Sequence, residues 1–323
     1  MNSCIHCGIS FDFYEQGYIF IESNQISQHM TSEYQKMNDY IAFTPYSSLD
    51  MVQSELERLQ YSTDLRMGLS RTKRPTRLLD LKTFELRFNE KETVNFIQHG
   101  QFVSYLQPII SLNSYELYGY ESLLRTNDPQ INLSPGKLFD VATKTGLHSL
   151  LDQRAREEAV KARVGKVPAG TKSFIKFLPS TIYNPDFCLQ HTFKIVEKYQ
   201  VNPEDLVFEV VETEKIEDVN HLKKVLDRYK KEGMKVALDD VGSGFSTLDM
   251  LELLRPDYVK IDRSYISNCD QDQGKIDFLK EANERAKMQN AEEPEVGINA
   301  DENMGGTTHL SEPVADEPEL ETL

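Results

Sequence analysis

From about Lys91 to Met288 the chain alternates between apolar runs of strand length and amphipathic runs of helical period, and no other feature restricts the fold as much. The strand-like runs are "FVSYLQPII", "YELYGYESLL", "KSFIKFLP", "LVFEVVE", "KVALDDV" and "YVKID". Between them stand "GKLFDVATKTGL", "LDQRAREEAVKARVG", "TFKIVEKYQ", "DVNHLKKVLDRYKKEG" and "STLDMLELL", each with apolar residues on one helical face. Strand and helix in alternation predict βα units and a mostly parallel sheet. The later units repeat at roughly thirty residues, the size expected when a (β/α)8 barrel of ~250 residues is divided by eight. The expected fold class is therefore α/β, a TIM-like (β/α) barrel.

The flanks read differently. Residues 1–85 form a small α+β region, with short alternating apolar runs in "GYIFIES" and a helix in "SSLDMVQSELERLQ" that Ser48 would cap. The basic, proline-containing stretch "SRTKRPTRLLD" reads as the linker to the barrel at 86–288. From residue 289 to 323 there are ten acidic residues and no lysine or arginine, so the rest of the chain carries only about −6 of the formal −16. That segment reads as a disordered acidic tail. The overall negative charge argues against a nucleic-acid polymer or an anionic membrane as the main partner. No apolar run has the length of a membrane helix and the N-terminus lacks a signal peptide's pattern, so a cytoplasmic location is expected.

Barrel chemistry gathers at the C-terminal ends of strands. Those ends carry Glu121 and Arg125, Lys176, Glu209 with Glu212 and Glu214, the adjacent pair Asp239–Asp240, and Lys260 with Asp262. Two readings of the aspartate pair stand side by side: a solvated loop start, or a cation site. Carboxylates from separate strands converging on one mouth repel unless neutralised, and a hard divalent cation with oxygen ligands is the usual remedy. Paired cations roughly 3.5–4 Å apart clamp a phosphate and activate water. Lys260 could then hold that water or offset phosphate charge, and Arg125 could hold a phosphate oxygen. Glu212 and Glu214 read equally well as a solvated helix start.

These same segments carry a family resemblance. "YESLLR" resembles the Glu-x-Leu-x-Arg signature of the EAL domain, the family of cyclic di-GMP phosphodiesterases. "DDVGSGFSTLDMLELLRPDYVKID" is similar to that family's Asp-Asp-Phe-Gly-Thr-Gly stretch followed by Lys-Ile-Asp. "FEVVETE" and "YLQPIISL" resemble its Glu-x-x-Glu and Gln-Pro-Ile strands. The resemblance runs from about Lys91 to Lys287 and implies metal-dependent opening of cyclic di-GMP to linear pGpG with two Mg²⁺ or Mn²⁺ ions. It implies Glu121, Glu209, Asp239 and Asp240 as metal ligands and Lys260 as the residue that positions the attacking water. It further implies Gln107 and Arg125 as nucleotide contacts. The loop of Gly242, Ser243 and Gly244 would be a lid coupled to a homodimer partner.

Three departures from the family pattern bear on activity. The third strand of active members ends Asn-x-x-Pro, whereas here the frame reads Lys176-Phe177-Leu178-Pro179. An oxygen donor has become an ammonium without acceptor atoms. Lys176 either pairs with the carboxylates and takes a cation's place, or snorkels to solvent. In "EVGIN", Val296 stands where the seventh strand's first Glu belongs and Asn299 where its second does, while Glu295 lies one residue off and so on the opposite face. The eighth strand's expected ending is missing, which reads as a truncated or frame-shifted end or as a divergent tail. These departures predict impaired hydrolysis. The alternatives are a catalytically inactive domain that binds cyclic di-GMP or a protein partner, and a non-functional fragment. At the N-terminus "CIHC" places Cys4 and Cys7 in a Cys-x-x-Cys knuckle, a possible zinc site, a redox pair, or two ordinary thiols.

Overall fold

The computed structural model describes residues 11–128, 133–211, 218–242 and 247–288. The first unit is an antiparallel sheet of β1 (Gly17–Glu22), β2 (Gln35–Lys36), β3 (Ile41–Tyr46), β4 (Arg66–Ser70) and β5 (Leu79–Asp80). Its order is β2-β3-β1-β4-β5. Helix Ile26–His29 joins β1 to β2, and helix Leu49–Leu59 joins β3 to β4. That succession and order make a split β-α-β arrangement of ferredoxin-like type, extended by β5. Strand β1 alternates between two apolar environments. Ile19 and Ile21 pack with Val52, Leu56 and Phe84 under the helices, while Phe20 packs with Phe43 and Leu78 on the other face.

Asp80 accepts a hydrogen bond from the Thr83 amide at 2.9 Å and so caps helix Leu81–Asn89. This helix spans the expected boundary at residue 85 and buries Phe84 and Phe88 in the first core. Phe13 then packs against both that core and the next one, around Val94, Phe102 and Leu151.

The second unit is a six-stranded sheet of β6 (Phe102–Ile110), β7 (Leu117–Thr126), β8 (Lys172–Phe177), β9 (Leu206–Val210), β10 (Lys235–Val241) and β11 (Tyr258–Ile261). It runs in sequential order, with β6 and β7 an antiparallel hairpin and every later pair parallel. Its outer face carries Ile175, Phe177, Phe208 and Leu238 against Ile195, Leu222, Val225 and Tyr229 of the covering helices. The sheet is α/β, mixed and strongly curled. Four strand spacings of about 4.8 Å would hold β7 and β11 roughly 19 Å apart if it were flat. Instead the Tyr118 hydroxyl donates to that of Tyr258 at 2.9 Å. The strands therefore wrap as in a barrel, with β6 and β11 the edges among the described residues. Tyr118→Phe should cost about 1 kcal/mol in urea unfolding, the net worth of one such bond. Unchanged stability would show that this hydroxyl contact does not hold the curl. Among the described residues, no helix is long and apolar enough to cross a membrane.

Candidate functional site

Inside the curl, Phe174, Val207, Ala237 and Tyr258 form an apolar floor together with Ile109. A strand returns to the same face every second residue. Two residues beyond the floor stand Lys176 on β8, Glu209 on β9, Asp239 on β10 and Lys260 on β11. Glu121 of β7 completes the layer. The layer is staggered from strand to strand as a curled sheet requires, since Lys176 pairs with Glu209 but Glu209 pairs with Ala237 and Glu121 with Phe174.

The layer is a closed network of charge. The Lys260 ammonium lies 2.9 Å from Glu209 Oε1, 3.1 Å from Asp239 Oδ1 and 3.1 Å from Glu121 Oε2. The Lys176 ammonium lies 3.0 Å from Glu121 Oε1 and 3.5 Å from Asp239 Oδ2. Glu121, Glu209 and Asp239 are all buried. Burial pushes Glu209 up to about 8, against the pull of Lys260 and with the help of its carboxylate neighbours. Burial acts on Asp239 the same way, but Lys260 and Lys176 outweigh it and hold its carboxyl below the usual range. Both lysines remain firmly protonated. Burial opposes their charge, and the carboxylates around them more than compensate.

The adjacent aspartates follow from a local irregularity. In a regular strand Asp240 would face away from Asp239. Here β10 bulges against β11 between Leu238 and Val241, and Asp240 takes a left-handed φ of 51°. Such a conformation is costly for a non-glycine residue and gathers at functional sites. Burial and the charge of Asp239 push Asp240 up to about 6, with Lys176 and Lys260 pulling the other way. Gly242 follows at φ 107°, where a Cβ would lie 2.6 Å from the Tyr265 ring and 2.8 Å from Phe278. Only glycine fits there. Ser243 and Gly244, like Glu212, Glu214, Cys4, Cys7, Glu295, Val296 and Asn299, lie outside the described residues.

Gln107 of β6 pairs directly across from Glu121. Arg125 lies four residues beyond Glu121 on the same face of β7, half-buried, its guanidinium 5.9 Å from the centre of the Tyr105 ring. Asp262 turns away to cap the next helix, accepting from the Ser264 amide at 2.7 Å. One contributor had no signal in the sequence. Asp152 in helix His148–Arg163 accepts from the Leu178 amide at 3.0 Å and from the Thr181 hydroxyl at 2.9 Å. It thereby pins the turn that directly follows Lys176 and Phe177. Its helical position is marked only by a buried charge, which a sequence does not display.

The donor set has the chemistry of a hard-cation site, all carboxylate oxygen. Glu209 Oε2 is buried without a hydrogen-bond partner. The placement is another matter. Both oxygens of Glu121 and both of Asp239 face an ammonium. Among the described residues, no three His, Cys, Asp or Glu side chains are set to hold a metal ion. The residues as placed do not fit a centre of two cations.

The EAL domain family model matches residues 90–293. The chain is similar to the Escherichia coli (strain K12) protein named probable cyclic di-GMP phosphodiesterase PdeG, with 32% identity over 182 residues, 54% of this chain and 35% of that one. It also resembles a standalone EAL protein of Vibrio cholerae O395 solved with cyclic di-GMP bound. That match has 31% identity and a TM-score of 0.52, and covers 60% of this chain and 80% of that one. Klebsiella pneumoniae BlrP1, solved as a calcium and cyclic di-GMP complex, is 18% identical with a TM-score of 0.51. The likeness there is one of fold, and it covers 86% of this chain and 88% of that one. The chain spans about a third of the length of PdeG and 24% of the Bacillus subtilis signaling protein YkoW.

Proposed function

Because the chain belongs to the EAL domain family, we propose that it binds cyclic di-GMP at the carboxyl-terminal mouth of its curled sheet, with hydrolysis to linear pGpG impaired. The observation that carries this reading is the convergence of Glu121, Glu209 and Asp239, from three strands, on the Lys260 ammonium at 2.9–3.1 Å. In this reading Arg125 takes a phosphate oxygen and Gln107 orients the nucleotide beside Glu121. Lys260 and Lys176 offset the acidic wall so that a dianionic ligand can approach it. In relatives of the two-cation type, Mg²⁺ or Mn²⁺ would supply the activated water. Here the Lys176 ammonium competes for the oxygens of Glu121 and Asp239, and this competition is the source of the impairment. A cytoplasmic homodimer is part of the proposal, consistent with the free thiols of Cys188 and Cys269.

Calorimetry with cyclic di-GMP, together with chromatography of the products in Mn²⁺, tests the reading. The expected result is saturable binding with little pGpG. Rapid pGpG formation that Asp239→Asn abolishes would overturn the impairment, and absence of binding would overturn the reading itself. Arg125→Ala should weaken binding at least tenfold, since a hydrogen bond from a charged group is worth about 1.5–3 kcal/mol and about 1.4 kcal/mol is a factor of ten.

A further inference from the structure

Position 176 distinguishes this mouth from a site built only of oxygen donors. Lys176 is the penultimate residue of β8, two beyond the floor residue Phe174, so the pleat directs it inward rather than to solvent. Its ammonium sits between Glu121 Oε1 and Asp239 Oδ2, at 3.0 and 3.5 Å, on the side of those carboxylates that Lys260 does not occupy. The side chain is 30% exposed, and Asp152 fixes the backbone after it by accepting from the Leu178 amide at 3.0 Å. Lys176 adds one positive charge beside Glu121 and Asp239, so the site needs less divalent charge than the same site with a neutral residue at 176.

We infer that the Lys176 ammonium takes the place of one divalent cation in this site, so that the site does not hold a pair of such ions and takes up nucleotide without added metal. The second half of this inference rests on the cyclic di-GMP reading above. The first half does not. A lysine ammonium is a compact point charge that bridges two carboxylates without demanding an octahedral shell. It balances charge but carries no bound water to activate. Loss of one cation and retention of the ligand site are therefore two consequences of the same residue.

Titration of the full chain with Mn²⁺ alone, followed by electron paramagnetic resonance, tests the first half. Only the Mn²⁺ lost on Asp239→Asn is counted, which removes ions held by other acidic segments. The wild type should bind fewer than two ions by this measure, and Lys176→Asn should bind one more than the wild type. Two ions in the wild type would overturn the inference, and that arm needs no folded variant at position 176. In the second arm, cyclic di-GMP affinity is measured in EDTA and in Mn²⁺. The wild-type affinity should change less than threefold, while Lys176→Asn should lose at least tenfold in EDTA. A tenfold loss for the wild type in EDTA would overturn the second half. If the wild type binds no cyclic di-GMP under either condition, the functional reading fails and the Mn²⁺ count still decides the role of Lys176.

Discussion

Arg156→Ala should lower the free energy of unfolding by about 3–5 kcal/mol, the usual cost of breaking one side of a buried ion pair. Arg156 is 2% exposed and so is Asp152, its partner one turn earlier on the same helix. The guanidinium reaches Asp152 Oδ2 through Nε at 3.1 Å and through Nη2 at 2.9 Å, and also donates to the Thr192 hydroxyl. Without it, the Asp152 carboxylate would stay buried with only the Leu178 amide and the Thr181 hydroxyl to solvate it. A loss of this size is a large share of a typical 5–15 kcal/mol. Lys144→Ala is the control. Its pair with Asp140 is also one turn apart, but the two side chains are 61% and 50% exposed. That substitution should change stability by about 0.5 kcal/mol or less. Urea unfolding followed by circular dichroism separates the two cases. A cost for Arg156→Ala as small as that of the control would mean that water reaches Asp152. The same variant should loosen the turn after Lys176, because Asp152 holds that turn from outside the mouth.

What could be read from the sequence divides along physical lines. Strands β6 and β10 fall on "FVSYLQPII" and "KVALDDV" without displacement, because both are mainly apolar, β-branched-rich runs bounded by glycine-containing turns or polar residues. The inward direction of Lys176, Glu209, Asp239 and Lys260 was legible too, since strand period alone puts each two residues past an apolar floor residue. The antiparallel start of the sheet has a signal of its own in the loop length. Only residues 111–116 separate β6 from β7, too few for a parallel crossover of a dozen or more residues. Other features left none. Strands β2 and β5 have two residues each, too short for any periodicity, so the ferredoxin-like order of the first unit emerges only from pairing. Helix Gln273–Met288 buries just Ala282 and Ala286, which makes its apolar stripe faint. Ser48 does sit at the N-cap of helix Leu49–Leu59, but its side chain makes no capping bond. The bulge that turns Asp240 toward Asp239 is likewise invisible in residue types, although two adjacent acids before a glycine turn hint that the regular pleat is broken there.

The largest effect expected at the mouth comes from Lys260. Among the described residues its ammonium is the one within 3.1 Å of all three buried carboxylates, Glu121, Glu209 and Asp239. Lys260→Ala removes that charge and leaves Lys176 alone among them, at a cost of about 3–5 kcal/mol. The cost should depend on pH in a definite direction. Burial already raises Glu209 to about 8, and Lys260 is what opposes it, so the variant's Glu209 titrates higher still. A carboxyl whose folded pKa lies above its unfolded value holds more protons folded than unfolded, and stability then falls as pH rises through that window. The deficit of Lys260→Ala relative to wild type should therefore shrink at pH 5 and grow toward pH 8. Mn²⁺ should stabilise the variant more than the wild type, because a cation that binds only the folded state adds RT ln(1 + [L]/Kd), about 2.7 kcal/mol at a hundredfold excess over Kd. Pairing Lys260→Met with Glu209→Leu should recover much of the loss, since buried ion pairs exchanged for apolar side chains of similar volume are often tolerated. Urea midpoints at pH 5 and pH 8, with and without Mn²⁺, read all of these. Equal stability of Lys260→Ala and wild type at pH 8 would mean that the carboxylates are already neutral or hydrated, and the charge network described for this mouth would not be what holds it together.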